Sequence, residues 1–314
     1  MIEKLDRVLV IGLGLIGGSF ASGIKRQKLA NHVVGFDLNI QECKLGIELG
    51  VIDEYSNDLL QAASEADLIM LAVPVKATEA ILSDLVSVIK PTAIITDVGS
   101  TKMNIIEAAR HVFGEIPHHF VPGHPIAGAE KSGVTAAKSD LFERHKVILT
   151  PLTNTSELAV KTVAFLWESL GADVLEMTPE RHDEVLAATS HLPHILAFSL
   201  VDTLAHEAQN KEIFRYAAGG FRDFTRIAAS DPVMWHDICH ANKEAILDQL
   251  DQFTEGLTKL RQAIDHGDSQ TLLGIFTRAR VAREYFSTLL TGTAYELTPV
   301  NQKEAKPLQK KEAD

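Results

Sequence analysis

Cysteine is nearly missing from this 314-residue chain: Cys43 and Cys239 are the two it has. That excludes a disulfide framework and a thiolate-rich zinc site, and it suits a reducing, cytoplasmic setting. No bound metal is expected. Positive charge is also in short supply, 30 Lys and Arg against 42 Asp and Glu, for a formal net charge of −12. Nucleic-acid binders need a basic face and anionic membranes attract one, so neither is an expected partner. An anionic small molecule must then be met by a few locally placed Arg or Lys. Absent too is any run approaching the ~18 apolar residues that suggest a membrane span. "VLVIGLGLIGGSFASG" behind Lys4 and Arg7 looks at first like a leader peptide, but Glu3 and Asp6 sit in its basic flank. Its glycines have a better explanation.

What the chain does have is a strand–helix rhythm. "RVLVIGLGLIGGSFASGIKRQ" reads as an apolar strand from Arg7 to Ile11, a glycine turn, and an amphipathic helix from about Leu15. Within it Gly12-x-Gly14-x-x-Gly17 matches the dinucleotide fingerprint. One glycine permits the turn, one lets a pyrophosphate approach, and one lets the helix pack on the strand with its N-terminus facing the phosphates. Asp37 ends the second strand, "HVVGFD", 20 residues after Gly17. A carboxylate there accepts hydrogen bonds from the adenine-ribose hydroxyls and repels a 2′-phosphate, favouring NAD over NADP; the plainer reading is a strand-end turn residue.

"DLIMLAVP" (67–74), "TAIITDVGSTK" (92–102), "HHFVPGHP" (118–125) and "KVILTP" (146–151) add strands, and "LWESLGADVLEM" (166–177) reads as a last helix and edge strand. The alternation predicts an α/β, Rossmann-type, doubly wound and mostly parallel sheet over residues 1–177. Ligands of such sheets sit outside the C-terminal strand ends, so the turns "AVP", "DVGS" and "PGHP" should line one crevice. His124 of "GHPIAGAE" lies there. Pro125 forces it to be extended or in a turn, a conformation open to a bland loop histidine and to a catalytic one.

Beyond residue 177 strand signals vanish. Thr178-Pro179-Glu180 is a helix start, and the apolar helical run "DEVLAATSHLPHILAFSLVDTLAHEA" follows. Asp231-Pro232 opens another long helix, expected to run to about Gly267, and Asp268 caps a third. An all-α domain is expected over 178–295, then a polar, disordered tail over 296–314. Its wide apolar faces exceed what a small bundle can bury, which predicts a homodimer. "SHLPH" sets His191 and His194 three apart: a metal pair lacking further ligands, a core or capping pair, or a substrate contact. "GGFRDFTRIAASDPVMW" (219–235) places Arg222, Asp223 and Arg226 among aromatics, either an anion site with a guanidinium fork or a surface ion-pair network.

In this order "GLGLIGGS", "DVGSTK", "GHPIAGAEKSG", "SHLPH" and "GGFRDFTRIAASDPVMW" resemble the prephenate dehydrogenase family, which includes arogenate and cyclohexadienyl dehydrogenases. The resemblance spans about residues 5 to 290. It implies NAD-dependent oxidative decarboxylation of prephenate to 4-hydroxyphenylpyruvate, or of arogenate to tyrosine, and a helical dimerisation domain. It also implies His124 as the catalytic histidine, with Ser100 beside it and the nicotinamide. Arg226 is implied as the arginine on a substrate carboxylate and His194 as a substrate contact. Glu130, Arg222 and Asp223 match an ionic cluster at the mouth of the site, and Trp235 a residue reaching the partner subunit's site. Cofactor contacts fall on Gly12, Gly14, Leu15, Ile16, Gly17, Asp37, Val73, Pro74 and Ser100. Many relatives carry a chorismate mutase segment or a regulatory domain, and neither is expected here; the tail could be a linker to a fused enzyme. The rival readings are a β-hydroxyacid dehydrogenase, which uses a helical-domain lysine, and a non-catalytic NAD sensor.

Overall fold

The computed structural model describes residues 4–128, 132–207, 210–291 and 293–294. Glu130 and the tail 296–314 therefore lie outside the described residues. Strands β1 (Leu5–Ile11), β2 (Ala30–Phe36), β3 (Glu54–Tyr55), β4 (Leu68–Leu71), β5 (Ile94–Asp97) and β6 (Phe120–Val121) form a six-stranded sheet ordered β3-β2-β1-β4-β5-β6. Every pairing in it is parallel. That is the Rossmann order, with the strand direction of travel reversing between β1 and β4 and so opening a crevice above Gly12. Helices α1 (Leu15–Arg26), α2 (Ile40–Glu48), α3 (Leu59–Glu65), α4 (Thr78–Leu85) and α5 (Met103–Phe113) connect these strands.

Period-two alternation explains why the sheet is covered on both faces. Val8 and Val10 of β1 point into a core shared with Phe20, Phe142 and Trp167, whereas Leu9 and Ile11 point into another with Leu82, Ile105 and Phe120. Trp167 is fully buried, and its ring centroid lies 4.9 Å from those of both Phe20 and Phe142. An aromatic cluster of this kind contributes roughly 0.5–1.5 kcal/mol per ring pair beyond its area burial.

One expectation is corrected. β7 (Gly123–Ile126), β8 (Lys146–Leu149) and β9 (Asp173–Glu176) do not extend the parallel sheet; they form their own three-stranded sheet, with β7 antiparallel to β8 and β8 parallel to β9. The cause is proline. Pro122 and Pro125 have no amide hydrogen, so a continuous ladder through 118–126 is impossible, and the chain changes sheets at Pro122. Helix α6 (Glu157–Ser169) packs between β8 and β9 in the chain and carries Trp167 into the core.

Thereafter the chain is helical: α7 (Pro179–Leu186), α8 (Leu192–Ala205), α9 (Asn210–Arg215), α10 (Gly219–Thr225), α11 (Pro232–Ala241), α12 (Lys243–Asp265) and α13 (Ser269–Leu289). Thr178, Asp231 and Asp268 cap α7, α11 and α13 through their side chains, as their sequence positions predict. Two departures matter. A π-helical turn, Ala187–His191, joins α7 to α8 just ahead of Pro193, whose missing amide hydrogen breaks the regular ladder. The long helix expected from Pro232 to Gly267 is broken at Asn242, which takes φ −114° and ψ 37°.

The chain forms two compact units, Met1–Thr258 and Lys259–Asp314. The 177/178 boundary expected from the sequence falls inside the first. In the second unit, α13 buries none of its residues and exposes Leu273, Phe276, Val281, Tyr285 and Phe286.

Candidate active site

The glycine loop after β1 is shaped by close approach. Gly12 has φ +94°, and a Cβ on it would sit 2.2 Å from the Ala72 carbonyl oxygen. A Cβ on Gly17 would sit 2.0 Å from the Gly12 carbonyl oxygen, so only glycine lets α1 start this close to β1. Gly14 differs: a Cβ there would meet nothing within 4 Å. It caps α1 without any side-chain hydrogen bond, leaving the helix N-terminus open toward that space. An open cradle at a helix N-terminus fits a pyrophosphate.

Leu15 and Ile16, half-buried, form the first turn of α1. Val73 and Pro74 follow β4, with Val73 Cγ1 3.2 Å from the place of a Gly12 Cβ. Asp37, just past β2, accepts from the Leu13 amide (2.8 Å) with Oδ2 and from the Asn39 amide (2.8 Å) with Oδ1. The carboxylate is thus fixed against the glycine loop with acceptor capacity to spare for ribose hydroxyls. These residues fit NAD.

His124 stands in β7, an edge strand opposite Ile148. Edge position explains how Pro125 can follow it, since the outer side of β7 needs no donor. The residue before it is held through both its amide and its carbonyl. Gly123 donates its amide to Asp97 Oδ1 (3.1 Å) and accepts at its carbonyl from Lys102 Nζ (2.7 Å), while Lys102 Nζ also pairs with Asp97 Oδ2. Lys102 and Asp97 are both buried. Burial pushes the Lys102 ammonium down from its usual range, and the charges of Asp97 and Asp183 oppose that.

The ring of His124 begins a hydrogen-bonded chain. Its Nδ1 lies 2.9 Å from His182 Nε2, and His182 Nδ1 lies 2.7 Å from Asp183 Oδ1. Asp183 in turn accepts the backbone amides of Lys102 (2.8 Å) and Met103 (2.9 Å), the open N-terminus of α5. Burial alone would raise the Asp183 carboxyl, but the His182 ring and those two amides hold it below the usual carboxylate range. Burial also lowers His182, with Asp183 partly opposing. His124 falls well below the ordinary imidazole value of 6.5, through burial first and then charge on His182, Lys102 and His191. At neutral pH both imidazoles are neutral and Asp183 is ionised.

Asn242, at the helix break, explains that break. Its amide donates to the Asp183 carbonyl (2.8 Å) and to His191 Nδ1 (3.1 Å). Burial lowers His191 to about 4. With Nδ1 accepting, His191 carries its proton on Nε2, which is buried and faces the Ser100 carbonyl without reaching hydrogen-bond geometry. Trp235 Nε1 is a second buried donor without a hydrogen-bond partner. Each such donor costs about 1–3 kcal/mol while it stays unpaired.

His194 donates Nδ1–H to the Ser190 carbonyl (2.8 Å) and stacks on Trp235 with ring centroids 3.9 Å apart. Trp235 is expected from the resemblance to reach a partner subunit's site; in this chain it is 7% exposed and packed on its own His194 and His191. Arg226 lies in the exposed 3₁₀ turn Arg226–Ala229 and lowers the pKa of His194 behind the larger effect of burial. That turn packs on α8. Arg222 and Asp223 are exposed and pair with each other at 3.2 Å. Ser100 is half-buried in the turn after β5.

Sequence reasoning missed Asp97, Lys102, His182, Asp183 and Asn242. The first two were in view inside "DVGSTK", and His182-Asp183 is an adjacent pair at the start of a capped helix. Nothing in their spacing ties them to His124, 58 residues from His182.

A Rossmann sheet with an open phosphate cradle, and a buried histidine chain beside its strand ends, defines a dinucleotide-dependent oxidoreductase. Residues 20–176 match the family profile "Prephenate dehydrogenase, nucleotide-binding domain" and residues 178–278 match "Prephenate dehydrogenase, dimerization domain". The chain belongs to the prephenate dehydrogenase family. It is 40% identical over 287 residues to a prephenate dehydrogenase of Bacillus subtilis, covering 90% of this chain and 77% of the relative. It is 39% identical over 281 residues to a cyclohexadienyl dehydrogenase of Zymomonas mobilis, covering 88% and 94%. The solved structure of Aquifex aeolicus prephenate dehydrogenase with hydroxyphenyl propionate and NAD+ aligns at a TM-score of 0.85 and 37% identity, covering 91% of this chain and 100% of that one.

Proposed function

We propose that this chain oxidatively decarboxylates prephenate to 4-hydroxyphenylpyruvate with NAD, in tyrosine biosynthesis, and that arogenate, which shares the reacting ring, can take prephenate's place to give tyrosine. The observation that carries this reading is His124, a neutral, buried imidazole in the strand that follows the crevice turns, with Nδ1 engaged by His182. Bound NAD supplies the hydride acceptor. Gly12, Gly14, Leu15, Ile16 and Gly17 would hold its pyrophosphate, Asp37 its ribose, and Val73, Pro74 and Ser100 its nicotinamide end.

The ring of prephenate becomes aromatic as hydride and carbon dioxide leave, so the residues mainly align and polarise. His124 Nε2 accepts the hydrogen bond of the ring hydroxyl and shares its proton as positive charge develops on the carbon. The proton returns to oxygen when the ring becomes a phenol, so no net proton is released. Ser100 orients the hydroxyl. Arg226 anchors the side-chain carboxylate, with His194 beside it on Trp235, and Arg222 and Asp223 stand at the mouth, a role the resemblance alone implies for Glu130. The departing carboxylate needs no strong cationic partner, since a salt bridge would retain it.

Residues 1–177 form the NAD-binding part of this reading and 178–295 the substrate and dimerisation part. The homodimer is supported by the apolar side chains α13 exposes and by the helical run Pro179–Ala205, whose most apolar 18-residue window has a mean hydropathy of 1.2 and is 22% buried. That run has the length and composition of a membrane span, yet it carries His182, Asp183, His191 and His194, as an interface helix beside a site would. The small number of cysteines supports a cytoplasmic location. NADH formation, followed by its near-ultraviolet absorbance with prephenate, arogenate and a panel of hydroxyacids, tests the reading. Turnover confined to hydroxyacids, or none at all, overturns it.

A further inference from the structure

We propose that His182 and Asp183 are a positioning pair that sets the tautomer of His124 and shares the charge it gathers during turnover. This rests on the proposed role of His124 as acceptor for the ring hydroxyl.

The direction of the chain follows from donor and acceptor bookkeeping. Asp183 already receives the Lys102 and Met103 amides, and as a carboxylate it can only accept. His182 Nδ1, 2.7 Å away, must therefore carry a hydrogen. A neutral imidazole holds one hydrogen, so His182 Nε2 has a lone pair and His124 Nδ1, 2.9 Å from it, must be the donor. His124 Nε2 is then the bare nitrogen. No other assignment satisfies all three contacts with neutral rings. Both rings are thus held as Nδ1–H tautomers.

The wider surroundings agree. Facing this pair are Lys102 from the start of α5, Asp97 from β5, Asp183 from α7 and His191 from the π turn. Lys102 is tied to Asp97 and Gly123, and His191 accepts from Asn242, so neither competes for the two imidazoles. When the hydroxyl proton moves onto His124 Nε2, the Nδ1 hydrogen can shift to His182 Nε2. The positive charge then rests beside the Asp183 carboxylate, and reversing both transfers restores the starting state. No proton is gained or lost.

The tautomers can be observed without any substrate. Long-range ¹H–¹⁵N spectra of the ¹⁵N-labelled chain near neutral pH should show His124 and His182 as Nδ1–H, each assigned by the signal lost in His124→Asn or His182→Gln. Asp183→Asn should weaken the chain. One carboxamide oxygen cannot replace both carboxylate oxygens, so its NH2 group meets either the Met103 or the Lys102 amide, and the negative charge that stabilises a protonated His182 is gone. In that variant kcat should fall by about 10²–10⁴-fold, with KM and NAD affinity within about threefold of the wild type. His182→Gln, whose carbonyl can still accept from His124, should keep at least about tenfold more kcat than His182→Leu, so a poorly folded Asp183→Asn does not remove the test. An Nε2–H signal for His124 in the wild type overturns the proposal, as does equal activity of the Gln and Leu variants. Correct tautomers in a chain that does not turn over prephenate would instead count against the function proposed above.

Discussion

Lys102 donates from Nζ to the Gly123 carbonyl at 2.7 Å, tying a fully buried ammonium to the peptide unit next to His124. The same residue gives its backbone amide to Asp183. One turn at the start of α5 therefore fixes both ends of the histidine chain, the strand through a side chain and the relay through the main chain.

Removing one member of the Lys102–Asp97 pair should be costly, because it leaves a buried charge without its partner. Lys102→Met is expected to destabilise the protein by about 3–5 kcal/mol. The Lys102→Met, Asp97→Leu double variant should recover part of that loss, since no isolated charge remains. Thermal melts of the two variants check this; a single variant that melts like the wild type contradicts the pairing.

The pH dependence follows from the burial of His124. The acceptor must be neutral, and its pKa lies well below 6.5, so kcat/KM should stay flat as pH falls through 6.5 and decline only at lower pH. An unperturbed imidazole would place that limb between roughly 6 and 7, and the buried chain moves it down. His124→Asn should fold and bind NAD while turnover drops about 10²–10⁴-fold and the limb disappears. A wild-type limb above pH 7 argues against a buried neutral base.

Arg226 offers a test of the carboxylate clamp. Arg226→Gln should raise KM by roughly 10²-fold, as expected for a charged hydrogen bond of about 1.5–3 kcal/mol. NAD affinity, measured by calorimetry, should hardly change. An unaltered KM with a lowered melting temperature would assign Arg226 to the ion pairs of the helical surface instead.

Asp37 should govern cofactor choice. Its carboxylate is held by the Leu13 and Asn39 amides and would meet a 2′-phosphate at close range. NAD is expected to be preferred over NADP at least about tenfold in kcat/KM. Asp37→Ser should narrow the gap mainly by weakening NAD. Equal use of both cofactors by the wild type contradicts the role.

The amino-acid sequence on its own determined what depends on local pattern. Apolar runs, the glycine spacing and Asp37 specify β1, α1 and β2 with their cradle, since burial on both faces and close backbone approach leave direct marks on residue type. Thr178, Asp231 and Asp268 mark helix starts for an equally local reason: their side chains satisfy amides three residues on. What only the tertiary structure decided depends on residues far apart in the chain. Strand β7 sits at the edge of a second sheet because Pro122 and Pro125 cannot donate, and that choice needed β8 as a partner. Asn242 breaks a helix to reach Asp183 and His191, a bond that no periodicity announces. His182 and Asp183 become part of the site because α7 folds back onto the N-terminus of α5, where two unpaired amides await a carboxylate. Hydrogen-bond partners across 58 and 81 positions have no signature in the sequence between them; only the packed fold brings such groups within 3 Å.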